Sequence, residues 1–372
     1  MDFNEAEEGK TRFLVPLQDQ AHPFPPRSAP VFFNPRMEIS RDATVVLASL
    51  LRPDHYLDAM GATGARGLRI ANECGIGVTI NDRDPVAVEV IRHNAAFTGL
   101  PVRVSCLDVN ALLSSSRFAA VDLDPFGTPA PFIDSAIRGS ERYLFITATD
   151  TAPLCGAHRR AGMRRYFATP INNEYHAETG LRVLLGAVVR EAVKYDRGVV
   201  PLFCFAREHF IRLHLRLVPG AGAADRSLSR VGYVMQCPVC PFRAEQEGIA
   251  PVPSRCPACG SALQPNGPLW TGEIQDTSLL ARMEGAMPGM VLGKKKDLQS
   301  LVAACSLELP LSWHYDYHAL AKYFRTSPPP LEQVLDSLRS AGYAASRAHY
   351  SGTALKTDAP LSCLGEIFKK NR

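Results

Sequence analysis

From Asp54 to Val218, short apolar runs rich in β-branched and aromatic residues alternate with stretches whose apolar positions recur at helical spacing. That alternation is the mark of βαβ units, which build a mostly parallel sheet with helices on its faces. HYLDAM (55–60) is the first expected strand and GARGLRIANEC the helix after it; VTIND (78–82) is the second, followed by a helix that Pro85 can open. VRVSCLD, AAVDLD and YLFITAT supply the third, fourth and fifth strands, and a long helical pattern fills 174–195. VVPLFCF and HFIRLHLRLV form two more, separated by only a few residues. So short a link requires antiparallel pairing, because a parallel pair needs a crossover.

Seven strands closed by one antiparallel hairpin form the Rossmann-like class I methyltransferase arrangement; a dehydrogenase sheet would lack the hairpin. At 372 residues the chain exceeds what one core usually serves. VPGAGAADRS (218–227) reads as a linker, which predicts an α/β domain over 1–222 and an α+β domain over 223–372. No run approaches the length of a membrane span, and the N-terminus, MDFNEAEEGK, is acidic where a signal peptide is basic. The expectation is a cytoplasmic protein with no membrane association and no implied protein partner. With 41 basic and 37 acidic residues the net charge is only +4, so composition does not announce a nucleic-acid binder and local clusters must decide.

The first strand runs into D-A-M-G-A-T-G-A-R-G, where Gly61, Gly64 and Gly67 let the backbone turn tightly and approach a ligand at a helix N-terminus. Plain βα turns show similar spacing, so the loop alone is weak. Asp82 strengthens it, since it ends the second strand about twenty residues on, where a carboxylate holds ribose hydroxyls. Asp108 ends the third strand, the usual meeting point for an adenine amino group. Ligands of open α/β sheets bind at this carboxyl edge.

The fourth strand finishes in DLDPFGTP (122–129), two carboxylates followed by a proline and an aromatic that no ladder can use. An exocyclic amine on a nucleobase is a poor nucleophile because the ring withdraws its lone pair. Asp124 and the adjoining backbone carbonyl could accept the two amine N–H groups and draw the nitrogen toward tetrahedral geometry. Phe126, held between Pro125 and Gly127, could stack on the base. In isolation Asp124 would read as a turn cap and Phe126 as core; their place beside the acids reverses that. Asp122 is a candidate supporting residue.

Cys237-x2-Cys240 and Cys256-x2-Cys259 have the spacing of a tetrahedral zinc ribbon within 233–262. Four thiolates leave no open position, so the metal would be structural. HRRAGMRRY concentrates Arg159, Arg160, Arg164 and Arg165, a pattern that suits phosphate contact. The last sixty or so residues look like a winged-helix-type unit, with Arg347, His349 and Lys356 as candidate contacts to RNA.

Taken together, VFFNPRMEISRD (31–42), LDAMGATGARGLR (57–69), LDPFGTP (123–129), TATDTAPLCGAH (147–158) and SRAHYSGTALKTDAP (346–360) resemble the tRNA guanine-N2 dimethyltransferases that modify position 26. The resemblance implies S-adenosyl-L-methionine as cofactor and tRNA as partner. It implies that Arg41 and Arg66 grip the methionine end, that Asp58 and Gly61 belong to the cofactor loop, and that Asp82 holds the ribose, with Asp108 and Val109 near the adenine. Asp124, followed by Pro125, would be the catalytic carboxylate, with Phe126 and Phe32 sandwiching a flipped guanine. Two rivals stay open on the residues alone: an adenine amino-methyltransferase acting on RNA or DNA, and an inactive zinc-containing RNA-binding protein.

Overall fold

The computed structural model describes residues 2–17 and 30–370. Seven strands form one sheet: β1 (His55–Asp58), β2 (Gly77–Asn81), β3 (Arg103–Ser105), β4 (Phe118–Leu123), β5 (Ser140–Ala148), β6 (Arg197–Arg207) and β7 (Phe210–Pro219). Their order is β3-β2-β1-β4-β5-β7-β6. β1 pairs in parallel with β2 and β4, β2 with β3, and β4 with β5. β6 and β7 are neighbours joined through residues 208 and 209, the expected hairpin. Every residue of β4 is buried, which is why it reads as an unbroken apolar run until Asp122.

The chain divides into two compact units. The first comprises 1–148, 214–217 and 277–303, and the second 149–213, 218–276 and 304–372. Each draws on both sides of residue 222, a finer division than a single cut can express.

In the first unit, the helices Ala65–Cys74 and Pro85–Thr98 follow β1 and β2. Asp84 caps the second of them through the Val86 N–H (3.0 Å), with Pro85 at its start. A core of Phe13, Val45, Leu68, Ile70, Val78, Ile80 and Ile91 binds helices to sheet. An antiparallel hairpin, Phe3–Glu8 with Thr11–Pro16, precedes all of this. It turns at Gly9 (φ +61°), where a Cβ would lie 2.5 Å from the Glu73 carboxylate.

In the second unit, Val231–Gln236 pairs with both Arg243–Glu247 and Gln264–Trp270 in an antiparallel sheet that carries the four clustered cysteines. The C-terminal part has helices Tyr317–Phe324 and Leu331–Ser340, then the ribbon Ala345–Arg347 with Ala354–Thr357, to which Tyr315–Asp316 adds a third strand. Helices followed by a β-ribbon are the order a winged-helix-type unit requires. Its own core includes Leu320, Val334, Leu338, Leu355, Leu364 and Phe368. The stretch expected as a linker instead contains a helix, Ala221–Leu228. Its alanines favour helix, and Ala223 packs so closely on Gly198 of β6 that a Cβ there would meet the Ala223 carbonyl oxygen at 2.5 Å.

Candidate active site

All the residues expected to hold cofactor or base lie in the first unit. After β1 the chain makes the glycine loop: the Gly61 N–H donates to the Asn81 carbonyl (2.8 Å) and the Gly64 N–H to that of Gly61 (2.7 Å). Glycine is needed here for close approach. A Cβ on Gly61 would stand 2.4 Å from Ile80, and one on Gly67 would stand 2.6 Å from the same side chain.

Asp58 lies under this loop, 2% exposed, and accepts the Gly67 N–H (2.9 Å). Burial is the main reason its carboxyl is pushed up to about 7, with Asp122 and Asp124 adding to the push and Arg66 opposing it. It therefore shapes the loop from below. Asp82, half-buried at the end of β2, accepts the N–H groups of Ala62 and Asp84, both at 3.0 Å. That fastens the glycine loop to the strand-end acid at the sheet's carboxyl edge. Asp108 is exposed and caps the helix Val109–Ser115 through the Asn110 (2.9 Å) and Ala111 (3.3 Å) N–H groups, so Val109 is the first helical residue.

Sequence reasoning missed Asn81. This buried amide donates to the carbonyls of Ala59 and Leu107 (both 3.0 Å) and accepts from the Leu107 N–H (3.1 Å) and the Ser105 hydroxyl (2.6 Å). With every donor and acceptor of its side chain used, it ties the loops after β1 and β3 together. Its only sequence signal is a polar residue inside an apolar strand.

Beyond β4, Asp124 has one oxygen, Oδ2, held by Arg66 Nη2 at 2.5 Å. Arg66 is 4% exposed and also donates to Thr44 Oγ1 (3.0 Å) and the Ser40 carbonyl (3.5 Å), while its Nε faces Asp122 at 3.8 Å. Asp122 is fully buried and accepts the Tyr56 hydroxyl at 2.5 Å. A chain of contacts thus runs from Tyr56 through Asp122 and Arg66 to Asp124. The last carboxylate keeps a quarter of its side chain open to solvent.

Pro125 is buried, whereas Phe126 is 76% exposed, followed by Gly127 at φ +99°. Phe32, 40% exposed, meets Phe126 edge to face, centroids 5.6 Å apart and planes at 75°. A base between them would require the rings to turn parallel and separate by two stacking distances. Arg41 is engaged elsewhere: it donates to both Glu8 oxygens (2.7 and 2.5 Å) and to the Asn34 carbonyl (3.0 Å), under the ring of Phe33. Glu8 also faces Arg69 at 3.3 Å. The structure therefore brings Phe32, Arg66, Asp124, Pro125 and Phe126 together, while Arg41 sits in a buried ionic cluster with the N-terminal hairpin.

In the second unit, the Sγ atoms of Cys237, Cys240, Cys256 and Cys259 all lie within 4.8 Å of one another. The closest pairs are Cys237 with Cys259 (3.4 Å) and Cys240 with Cys256 (3.5 Å). The Val239 and Cys240 N–H groups both point at Cys237 Sγ (3.4 Å), as donors do toward a metal-bound thiolate. Four converging sulfurs, one from each cysteine, fit a structural zinc ion.

Arg159, Arg160, Arg164 and Arg165 are all exposed on the helix Arg159–Tyr166, Arg165 reaching Asp150 at 3.1 Å. Arg347 is half-exposed and pairs with Glu332 at 2.6 Å. Two of the expected RNA contacts are corrected. Lys356 is 1% exposed and bonds Glu178 (2.6 Å), Glu308 (2.8 Å) and the Leu311 carbonyl (2.7 Å). The His349 side chain is equally buried, its Nδ1 2.7 Å from Glu308. Two buried carboxylates need these cations inside, so neither is presented to RNA.

A seven-stranded sheet in this order, with a glycine loop and acids at its carboxyl edge, defines a class I methyltransferase fold of the kind that uses S-adenosylmethionine. Within that class the chain belongs to the N2,N2-dimethylguanosine tRNA methyltransferase family, which residues 9–369 match. It is 59% identical over 369 residues to the tRNA (guanine(26)-N(2))-dimethyltransferase of Methanoregula boonei, covering 99% of each chain. To the protein of that name from Methanoculleus marisnigri it is 60% identical over 367 residues, again covering 99% of each. Among solved structures it is similar to Trm1 from Pyrococcus horikoshii in complex with S-adenosyl-L-methionine, at 33% identity and a TM-score of 0.88, covering 98% of this chain and 99% of that one.

Proposed function

We propose that the protein transfers one methyl group and then a second from S-adenosylmethionine to the exocyclic N2 of guanine at position 26 of tRNA. The observation that carries this is Asp124: a carboxylate at the end of β4, fixed through Oδ2 by a buried arginine, beside an aromatic ring exposed to solvent. The cofactor, when bound, supplies an electrophilic methyl carbon. Asp124 Oδ1 accepts one amine N–H and the adjoining backbone carbonyl the other, which localises the nitrogen lone pair for attack. The proton displaced as the N–C bond forms leaves toward the carboxylate. Phe126 and Phe32 supply apolar faces for an everted base, and their exposure is what a base would cover.

The amine carries two hydrogens, so each round removes one donor to these acceptors and the reaction ends after two. Asp82, Gly61, Asp58, Asp108 and Val109 frame the cofactor site, with Asn81 bracing it. Arg66, beside Asp124, is at hand for its carboxylate, whereas Arg41 is taken up by Glu8 and the Asn34 carbonyl. The cysteine cluster holds zinc as a brace for residues 223–372, which with Arg159, Arg160, Arg164 and Arg165 serve tRNA binding. A tRNA substrate implies cytoplasmic work, and among the described residues no helix is long and apolar enough to cross a membrane.

The test is nucleoside analysis of an unmodified tRNA transcript incubated with the protein and cofactor. Dimethylguanosine at position 26 is expected; methylated adenine, or no product despite cofactor binding, would refute the reading.

A further inference from the structure

The arginine helix ends on a residue that the sequence did not single out. Phe167 follows Tyr166 with φ +48° and leaves 72% of its surface in water. Among the described Phe, Tyr and Trp residues only Phe126 is more exposed. A bulky residue in the left-handed region is strained, and a phenyl ring in water forgoes the gain of burial, so two costs fall on one position.

The surroundings hold that arrangement firmly. The Phe167 N–H bonds the Met163 carbonyl (3.0 Å), closing the helix. Tyr166 is fully buried, its hydroxyl on both Asp150 oxygens (2.8 and 2.9 Å) and its carbonyl bonded by Arg190. On the other side Ala168 is fully buried and the Thr169 N–H reaches the Gly267 carbonyl at 2.7 Å. The backbone is clamped before and after, and the ring has no course but outward. The helix it closes carries Met163, 46% exposed one turn earlier, and the exposed Arg159, Arg160, Arg164 and Arg165.

A firmly held exposed ring at the end of an arginine-rich helix suits single-stranded nucleic acid, in which bases stack on aromatic faces while cations track the phosphates. Two apolar side chains are too few for the desolvated centre of a protein interface. We propose that Phe167 is a stacking platform for an unpaired tRNA base outside the base-modifying site, flanked by phosphate contacts from the arginine helix. The proposal rests on tRNA being the substrate.

The left-handed backbone gives an unusually clean variant. Phe167→Gly removes the ring while fitting φ +48° without strain, so folding is not put at risk. Equilibrium binding of tRNA to the full chain is measured from low to moderate salt for wild type, Phe167→Gly, Phe167→Trp and Arg160→Gln. Phe167→Gly should bind roughly ten-fold more weakly at every salt concentration, with the wild-type slope of log affinity on log salt and unchanged cofactor affinity. Phe167→Trp should bind like wild type, its fluorescence quenched by tRNA. Arg160→Gln should flatten the slope. Wild-type affinity in Phe167→Gly, with tRNA binding otherwise normal, overturns the platform and leaves the tRNA reading standing; a wild-type protein that binds no tRNA overturns both.

Discussion

Replacing Lys356 by Met tests whether this residue is a structural cation, as the structure places it, or an RNA contact, as the sequence suggested. Its ammonium lies 2.6 Å from Glu178 and 2.8 Å from Glu308, two carboxylates that are themselves 0% and 3% exposed. Removing one partner of a buried ion pair strands the other, at about 3–5 kcal/mol. Arg182 and His314 remain on Glu178 at 3.0 and 2.9 Å, and His349 on Glu308, which argues for the lower end of that range. The effect carries a pH signature. Burial works against the charge on Glu308, but Lys356 and His349 hold its carboxyl at about 2, below an ordinary 4.5. The stability it contributes, about 3 kcal/mol, is complete above pH 4.5 and is lost as pH falls through 2. Urea unfolding of wild type and Lys356→Met between pH 3 and 8 should show a gap of about 3 kcal/mol at neutral pH that narrows toward acid, where the variant's carboxylates take up protons first. The salt dependence of tRNA binding should keep its slope. A gap under about 1 kcal/mol, or a slope shallower by about one unit as loss of a phosphate contact produces, would refute the reasoning.

Cys256→Ser should release about one equivalent of zinc per chain, measured by a chromophoric chelator, and lower the melting temperature while leaving cofactor affinity unchanged; full zinc content in the variant would show that the four sulfurs do not form the site. Asp58 prefers its proton when folded, since its carboxyl rises from 3.8 to about 7, so its cost to stability grows as pH rises between those values. Asp58→Asn keeps an acceptor for the Gly67 N–H and should gain on wild type across that window by up to about 4 kcal/mol in thermal unfolding. A difference that does not change with pH would mean the aspartate is not buried as described.

The strands of the seven-stranded sheet were legible because strands buried on both faces leave unbroken apolar runs. The strand ends that carry the candidate site were legible too, because glycines and acids interrupt the apolar runs there, although Asp108 serves as a helix cap. What stayed hidden depended on partners distant in the chain. Lys356, in ALKTDAP, reads as a surface lysine; only the folded chain brings Glu178 and Glu308 to it. Arg41 looks available until the hairpin Phe3–Glu8, too charged to read as a strand, delivers Glu8. Asn81 offers a single polar letter, while its meaning lies in four bonds to three residues distant in the chain. Phe167 carries no signal at all, since neither a positive φ nor exposure is written in one residue's identity.

Central to the account is that Asp124 activates the amine of a guanine. Asp124→Asn preserves size and can still meet Arg66 through its amide oxygen, but loses the charged acceptor. Single-turnover methylation of tRNA at saturating cofactor, with nucleosides resolved, should show a rate lower by roughly a hundred-fold or more, monomethylguanosine accumulating before any dimethyl product, and tRNA and cofactor affinities near wild type. Wild-type rates, or a loss explained wholly by weaker binding, would contradict it.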